Sequence, residues 1–358
     1  GAEPAAAVPP RTPGAPPVSP CPSAKSSTVP APLVAAGSGE SYWDAGRAQD
    51  PASVGEDLVA ALSGLGAGQR ARLPRPLEFA GGRFEQVSVL REFQTATRAR
   101  LVRFDPGGVL FVCKLEDLWK EHAIMCALRK MNERWRERGV VVAGGVVEVV
   151  TYDIVPLGRK VGLVQVVEES RTLRDLSRLC QPGERRLRIW QALRGDPRRL
   201  DRLATTTAAC LTATYALGIR DGHDDNLMLR SDGSLFRIDL GFAFGKTPEL
   251  DTPTLFVPQA ASLALGEERW AEVVPACALA LQALSSPGQP PGWDCLCRVP
   301  ELRPALPEAR LYARGLSFEG FALELERARE WSLQRATKNT LREAVQYLAA
   351  AGADLLPA

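Results

Sequence analysis

The sequence has little of what marks a zinc-dependent protein. It contains only two histidines, and its eight cysteines show no repeated C-x-x-C spacing. Cys295 and Cys297 form a single C-x-C pair, with no second pair to complete a tetrahedral site. The cysteines therefore indicate a reducing, intracellular setting and argue against a zinc site.

A strong net charge and long apolar runs are also missing. The 44 basic residues nearly cancel the 42 acidic ones and leave a net charge of +2, so nothing favours a nucleic-acid partner. No apolar run reaches the roughly 18 residues that a membrane-spanning helix needs. We expect no nucleic-acid partner, no transmembrane segment and a cytoplasmic location, with peripheral recruitment to membranes as an option.

What is present divides the chain into three parts. Residues 1–55 are rich in Ala, Pro, Ser and Gly and carry too few large apolar groups to offset the entropy of ordering them. They are predicted to be a disordered leader or linker. Residues 56–167 begin like a helix and continue with strand patterns, and residues 168–358 are mostly helical in pattern. This order predicts an α+β chain with a small sheet-rich part and a larger helical part.

The strand patterns begin near Phe84. The segments FEQVSVLREF, RARLVRF and VLFVCK alternate or cluster apolar residues, and the turn signal DPGG separates the last two. Together they predict an antiparallel meander. A helix is predicted from Glu116 to Arg138, because apolar residues recur there at helical spacing. Further elements are predicted as strands within 146–157 and 160–167 and as a last long helix at 318–350.

The stretch GIRDGHDDNLMLRSDGSLFRIDLG crowds carboxylates between short apolar segments. It follows a predicted helix, and LMLR and LFR are typical of two strands joined by a turn at Ser231–Ser234. A hairpin brings its ends together, so Asn226 and Asp239 are expected to meet at one edge. Asp221 and His223 lie on the loop that leads into the hairpin.

Converging carboxylate and amide oxygens form a site for a hard cation such as Mg²⁺, which takes further ligands from phosphates. Asp221 and Asn226 are five residues apart, like the Asp and Asn of the protein-kinase catalytic loop, and Asp239 begins a D-L-G triplet similar to D-F-G. Such a site also needs a lysine on a strand and an acid on the next helix. Lys114 ends VLFVCK, and three acids, Glu116, Asp117 and Glu121, open the predicted helix after it.

These motifs resemble the catalytic domain of the phosphatidylinositol 3-/4-kinase superfamily, which includes lipid kinases and related large protein kinases. The family motif G-D-R-H-x-x-N followed by H-I-D-F-G is similar to RDGHDDN and RIDLG, and the chain is closest to the phosphatidylinositol 3-kinase type. Further similar segments are GLVQVV (162–167), CLTATYALGI (210–219), DLWKE (117–121) and EWSLQRATKN (330–339). The resemblance implies a two-lobed, protein-kinase-like fold, with an antiparallel-sheet lobe before a helical lobe.

The resemblance also implies how ATP is held. Lys114 would contact the α/β-phosphates, and Glu121 would be the carboxylate that accompanies it. Adenine would hydrogen-bond to the backbone at Gln165 and Val167, with Tyr152 lining the pocket. The turn FQTATRAR resembles the phosphate-covering loop and offers two hydroxyl donors, those of Thr95 and Thr97.

The remaining roles implied by the resemblance concern the transfer itself. Asn226 and Asp239 would bind Mg²⁺, with Mn²⁺ as an alternative. Asp221 would orient or deprotonate the acceptor hydroxyl. His223 would stabilise charge that develops on the γ-phosphoryl group.

The chain departs from the family pattern at Gly222, where the motif has arginine, so a fixed charge is missing from the loop. The segment after Asp239 has one lysine, Lys246, against Glu249 and Asp251. Lipid kinases that act on multiply phosphorylated inositol rings need several basic residues there. This segment therefore argues against such a headgroup.

The resemblance thus implies an ATP-dependent phosphotransferase that acts on an inositol-ring hydroxyl of phosphatidylinositol or a lightly phosphorylated phosphoinositide. Two alternatives stay open: a protein Ser/Thr kinase of the related branch, and a nucleotide-binding pseudokinase that serves as a scaffold. The expected partner is a phosphoinositide lipid at a membrane surface or a protein substrate. The sequence does not identify which regulatory subunits the protein binds.

Overall fold

The computed structural model describes residues 50–79, 82–93, 98–179, 191–248, 255–286, 288–289 and 292–330. All of them belong to the larger of two compact units, Gly39–Ala358. Several predictions fall outside the described residues: the leader up to residue 49, the last helix beyond residue 330, Thr95, Thr97, Glu249 and Asp251.

The described chain is a mixture of strands and helices. The strands are β1 (Arg70–Phe79), β2 (Gly82–Glu92), β3 (Arg100–Asp105), β4 (Val109–Lys114), β5 (Val141–Val142), β6 (Gly145–Val146), β7 (Ile154–Pro156), β8 (Gly162–Gln165), β9 (Ser170–Thr172), β10 (Leu227–Arg230) and β11 (Leu235–Arg237). The helices are α1 (Pro51–Leu62), α2 (Trp119–Glu137), α3 (Leu173–Arg178), α4 (Pro197–Leu217), α5 (Gln259–Ala283), α6 (Trp293–Leu296), α7 (Leu306–Ala313) and a last one that includes residues 318–330. A 3₁₀ helix, Pro300–Ala305, precedes α7.

An antiparallel sheet of order β1-β2-β3-β4-β8-β7 forms the first half of the described chain. The predicted meander is confirmed, because β2, β3 and β4 pair in sequence order. The strand β1 was not predicted, because Pro74 and Pro76 interrupt its apolar pattern. The sheet tolerates both prolines because β1 is an edge strand whose register shifts between Arg72 and Leu77.

Four phenylalanines fill one face of this sheet: Phe79, Phe84, Phe104 and Phe111. Their ring centroids lie 4.7 to 6.0 Å apart, in tilted and edge-to-face arrangements that suit the quadrupoles of aromatic rings. The helix α1 covers this core with Val54, Leu58 and Leu62. That helix begins at Pro51, inside the range predicted as leader, because the Asp50 carboxylate caps it by accepting the Ser53 N–H.

The strand predicted within residues 146–157 is only partly formed. Ile154–Pro156 pairs with β8, whereas residues 147–153 belong to no strand. The buried Asn132 of α2 takes the place of a strand partner for Val149. Its amide donates to the Val149 carbonyl and accepts the Val149 N–H, both at 2.8 Å, so these backbone groups are satisfied without a neighbouring strand.

The helix α4 runs through a second core, and its C-terminal end leads into the loop of residues 219–226. The Asp196 carboxylate caps its start, and Gly218, with φ 59°, ends it in the left-handed conformation that glycine allows. Nearly every residue from Leu203 to Leu217 is buried, as expected for a helix that lies inside a domain. After the loop, β10 and β11 form the predicted hairpin, and β10 also pairs with β9.

None of the described helices is both long and apolar enough to cross a bilayer.

Candidate active site

The loop of residues 219–226, which the sequence predicts to be a catalytic loop and which is named so below, begins where α4 ends. The Arg220 N–H donates to the Phe242 carbonyl at 2.9 Å, which ties the start of the loop to the segment after β11. Asp221 and Asp239 both adopt positive φ, 66° and 60°. This conformation is uncommon for a residue with a Cβ, although Asp tolerates it better than most, and such residues cluster at functional sites.

Asn226 connects the loop to the hairpin. Its side-chain amide donates to Asp221 Oδ2 at 2.9 Å and to the Asp221 carbonyl at 3.1 Å. The Ile238 N–H donates to the Asn226 carbonyl at 3.0 Å, so Asp239 follows immediately at the same edge. Because the amide nitrogen is used within the loop, the Asn226 side-chain oxygen is the atom left for a cation.

His223 lies against the same carboxylate. The Asp225 N–H donates to His223 Nδ1 at 3.2 Å, so the neutral form of the ring would carry its proton on Nε2. That nitrogen lies 3.4 Å from Asp221 Oδ1, the acceptor that it faces. Asp225 is fastened in turn by Arg174 of α3, 2.7 Å away. The two loop residues predicted to be catalytic therefore share one hydrogen-bonded cluster with Asn226.

Lys114 and Glu121 stand together on the sheet side of the site. Lys114 Nζ lies 3.1 Å from Glu116 Oε1 and 3.6 Å from Glu121 Oε1. Burial lowers the pKa of Lys114, but the charges of Glu121, Asp239 and Glu116 outweigh it and hold the pKa above its usual value. Lys114 is therefore charged and close enough to Asp239 to feel its charge, so the strand β4 and the hairpin face one another.

Glu121 joins α2 to the segment that carries Asp239. It is buried, and its carboxylate accepts a hydrogen bond from the Leu240 N–H. Burial raises its pKa, the charge of Lys114 opposes that rise, and the charge of Asp239 adds to it. The Lys114–Glu121 pair predicted from the sequence is thus formed at the edge of the Asp239 segment.

The residues expected around adenine lie on and beside β8. The Gln165 N–H donates to the Asp153 carbonyl at 2.8 Å, and the Gln165 side chain accepts the Asp153 N–H at 2.8 Å. The Val167 carbonyl accepts the Ser170 hydroxyl at 2.6 Å. Tyr152 is buried, and its hydroxyl donates to the Arg237 carbonyl at 3.2 Å. Their contacts with adenine stay predictions.

Two further residues contact the site although sequence reasoning did not single them out. Lys120 of α2 donates from Nζ to the Gly241 carbonyl at 3.1 Å and so holds the end of the D-L-G triplet. Arg237 of β11 is buried, and its guanidinium donates to the Arg220 carbonyl. Burial lowers the pKa of Arg237, while the neighbouring carboxylates of Asp221 and Asp239 raise it. The family motif could have drawn attention to Arg237, because the sequence has glycine in place of the motif arginine at 222 and arginine in place of the motif histidine at 237.

The donor set suits Mg²⁺ that arrives with a phosphate ligand. Within the described ranges, no group of three or more His, Cys, Asp or Glu side chains could hold a metal ion alone. One amide oxygen from Asn226 and one carboxylate from Asp239 are what the hairpin edge offers. Mg²⁺ commonly binds through one or two protein oxygens plus substrate phosphates and water, so these residues fit it in a nucleotide complex.

The comparisons with known proteins agree with this geometry. Residues 195–261 match the family model described as phosphatidylinositol 3- and 4-kinase, and this range contains the catalytic loop and the hairpin. The chain is 30% identical over 161 residues to the phosphatidylinositol 4-phosphate 3-kinase C2 domain-containing subunit alpha of Pongo abelii, covering 41% of this chain and 9% of that protein.

Two other relatives are named as phosphatidylinositol 3-kinases. A probable phosphatidylinositol 3-kinase VPS34 homolog of Encephalitozoon cuniculi is 32% identical over 109 residues, covering 29% of this chain and 23% of that protein. Phosphatidylinositol 3-kinase 1 of Dictyostelium discoideum is 27% identical over 157 residues, covering 39% of this chain and 9% of that protein. The chain thus spans only a minor part of the length of these relatives. The recognition made from the sequence is confirmed: the chain resembles the catalytic domain of the phosphatidylinositol 3-/4-kinase superfamily, and most closely that of the phosphatidylinositol 3-kinase type.

Proposed function

We propose that the protein is an ATP-dependent phosphotransferase that transfers the γ-phosphate of ATP to an inositol-ring hydroxyl of phosphatidylinositol or a lightly phosphorylated phosphoinositide. The observation that carries the proposal is the cluster of Asp221, His223 and Asn226. The Ile238 N–H bonds the Asn226 carbonyl just before Asp239, and Glu121, the partner of Lys114, bonds the Leu240 N–H just after it. We further propose the two-lobed kinase-like arrangement, with residues 56–167 as the first lobe and 168–358 as the second.

The nucleotide would lie between β4 and the hairpin edge. Lys114 supplies a half-buried positive charge for the α/β-phosphates, since three carboxylates keep it protonated. Asn226 and Asp239 would hold Mg²⁺ or Mn²⁺ through their oxygens. When bound, the ion neutralises the negative charge of the phosphates. The backbone of Gln165 and Val167 and the ring of Tyr152 are proposed to bind adenine.

The acceptor hydroxyl would meet Asp221. Its Oδ2 is fixed by the Asn226 amide and its Oδ1 faces His223 Nε2, so the carboxylate is held in one orientation and can align the hydroxyl and accept its proton. The His223 Nε2 proton points into the same cluster and would stabilise negative charge on the group being transferred. Both residues thus act from positions that exist before substrate binds.

The segment after Asp239 favours a lipid with few phosphates. Its lysine, Lys246, is already paired with Glu308 of α7 at 3.0 Å, which leaves less positive charge for a headgroup. Phe242 is 37% exposed, and its carbonyl is bound by the Arg220 N–H, beside Asp221. An apolar side chain at the mouth of the site suits an acceptor that is embedded in a membrane surface.

The direct experiment is γ-phosphate transfer by the purified chain to separate acceptors. The acceptors are vesicles with phosphatidylinositol, its 4-phosphate or its 4,5-bisphosphate, and a soluble protein rich in serine and threonine. We expect label in the first or second lipid and at least about tenfold less in the bisphosphate, because a doubly phosphorylated ring lacks basic partners here. Label in the protein alone would identify the protein-kinase alternative.

A pseudokinase would give a different pattern. ATP would bind, as measured by a fluorescent analogue, and no acceptor would be labelled with either Mg²⁺ or Mn²⁺. The variant Phe242→Asp tests the contact with the membrane separately from the transfer step. We expect it to lower transfer to phosphatidylinositol in vesicles about tenfold, since one buried apolar ring is lost from the contact, while transfer to a soluble short-chain analogue stays within about twofold.

A further inference from the structure

The space that a side chain at position 222 needs is already filled. A Cβ built on Gly222 would lie 2.6 Å from Phe256 Cβ and 3.3 Å from Arg237 Nη1. Gly222 itself is not among the residues with positive φ, so the backbone conformation of the loop does not require glycine here. Glycine is required for space, because Arg237 and Phe256 occupy the place of a side chain.

Arg237 enters this space from the hairpin. It is 8% exposed, and its guanidinium donates to the carbonyl of Arg220, which is the residue before Asp221. The carboxylates of Asp221 and Asp239 are close enough for their charges to act on it. Within the described part of the chain, its buried Nε has no hydrogen-bond partner. The side chain is thus placed by its contacts with the catalytic loop and not by a dedicated partner of its own.

We propose that Arg237 is the positioning residue of the catalytic loop and supplies, from strand β11, the positive charge that the loop lacks at Gly222. This inference rests on the proposed phosphotransferase function. The guanidinium holds the Arg220 carbonyl, and its charge interacts with those of the Asp221 and Asp239 carboxylates. Removing a buried cation from beside two carboxylates leaves charge uncompensated, so Asp221 would lose its fixed orientation.

The two positions are therefore expected to depend on one another. Gly222→Arg alone places a long cation where Phe256 and Arg237 already stand, and Arg237→His alone removes the charge from the loop. Because Phe256 Cβ would still obstruct the new side chain, the exchange is made in a Phe256→Gly background. In that background, Gly222→Arg and Arg237→His together exchange the two residues and restore an arginine beside Asp221 from the loop side. A residue that only filled the core would show no such mutual rescue.

The test is a double-mutant cycle on the purified full chain carrying Phe256→Gly, which is the reference for every variant, with Arg237→Lys as the conservative variant. Arg230→His on the neighbouring strand β10 is the matched control, because among the described residues the ion pair of Arg230 is with Asp232 of the turn, 3.7 Å away. Arg237→His should lower kcat for transfer to phosphatidylinositol about 100-fold, with the KM for ATP within about threefold, since a misplaced catalytic group costs that much. Arg237→Lys should lose about tenfold, because it keeps the charge without the planar fork. The double variant should regain at least about tenfold over either single variant.

Hydrogen exchange of the amides in residues 219–226 gives a readout that does not depend on activity. Arg237→His should speed this exchange about tenfold, Arg230→His should not, and the double variant should slow it again. If the wild-type chain transfers no phosphate but this pattern holds, the proposed function fails and the positioning role stands. The inference would be overturned if Arg237→His kept the kcat and the loop exchange rate of the chain without that substitution. It would also be overturned if the double variant were no better than the single variants or did not fold.

Discussion

The sheet core and the catalytic loop are held in place by different forces. In the sheet core, Phe79, Phe104 and Phe111 are fully buried and pack edge to face. In the loop, Asp221 and His223 are partly exposed and are held by hydrogen bonds and charge. Burial of large rings contributes to the free energy of folding, whereas partly exposed hydrogen bonds contribute little to stability but fix direction.

This difference separates stability from chemistry along the chain. Substitutions in the sheet core should lower the free energy of unfolding and leave the intrinsic rate of transfer nearly unchanged. Substitutions in the loop should do the reverse. Lys114 stands at the boundary, since it ends a strand of the sheet and faces the hairpin.

The loop side should show the largest effect. Asp221→Asn keeps the size of the side chain and one acceptor for the Asn226 amide, but it removes the charge that aligns the acceptor hydroxyl. We expect transfer to fall about 10³-fold or more, with the thermal midpoint within about 2 °C of wild type. Asp232→Asn in the hairpin turn is the control and should change neither quantity. A loss of transfer matched by a similar loss in the control would break the contrast.

The sheet core should give the mirror image. Phe104→Ala removes a fully buried ring and should lower the free energy of unfolding by about 3–5 kcal/mol. Urea unfolding followed by circular dichroism measures this change, with Leu90→Ala as the control because Leu90 is 39% exposed. Transfer per folded molecule, measured well below the midpoint, should stay within about threefold. A larger loss of transfer would mean that the sheet core positions the site directly.

Lys114 should show both effects at once. Lys114→Met removes the cation that neighbours three carboxylates, so kcat/KM for ATP should fall about 100-fold. The free energy of unfolding should fall by about 1–3 kcal/mol, because the buried Glu121 loses its charged partner. Lys130→Met on α2 is the control, since Lys130 contacts Glu133 at the surface. An unchanged free energy of unfolding in Lys114→Met would show that this residue contributes to transfer and not to stability.

The two histidines sharpen the contrast through pH. Burial lowers the pKa of His122, although its hydrogen bond to the Ile154 carbonyl works the other way. Because the ordinary pKa of 6.5 belongs to the unfolded chain, that state takes up the proton first as the pH falls. The stability is then complete above about pH 6.5 and decreases below it.

His122→Gln should therefore flatten the pH dependence of the unfolding free energy below pH 6.5, as measured by urea titration at several pH values. His223→Gln should keep that pH dependence and lower transfer instead. If both variants changed stability equally and neither changed transfer, the separation of the two regions would be wrong.

Much of this arrangement can be predicted from local pattern. The alternation in LMLR and LFR and the turn between them predicted the hairpin, and the loop spacing placed Asp221 and Asn226, whose side chains meet, at one site. Other features depend on contacts between distant segments. The strand β1 was missed because its prolines are tolerated only at a sheet edge.

The buried side chains were the hardest to anticipate. Asn132 replaces a strand partner for Val149, and nothing in the local sequence indicates that an asparagine in a helix will do this. The residues beside Arg237 in its strand are apolar. Its side chain is buried in the space that glycine leaves at position 222, fifteen residues earlier. Pairwise fit of this kind is a property of the folded chain and not of any short segment.

The role of the hairpin edge can be decided by labelling phosphatidylinositol vesicles with γ-labelled ATP, using the wild-type chain and Asp239→Ala side by side with their thermal unfolding. We predict label in the lipid with wild type, at least about 10³-fold less with Asp239→Ala, and midpoints within about 2 °C of each other. Equal labelling by the two folded proteins would show that Asp239 holds no ion needed for transfer, and the assignment of this site would be wrong.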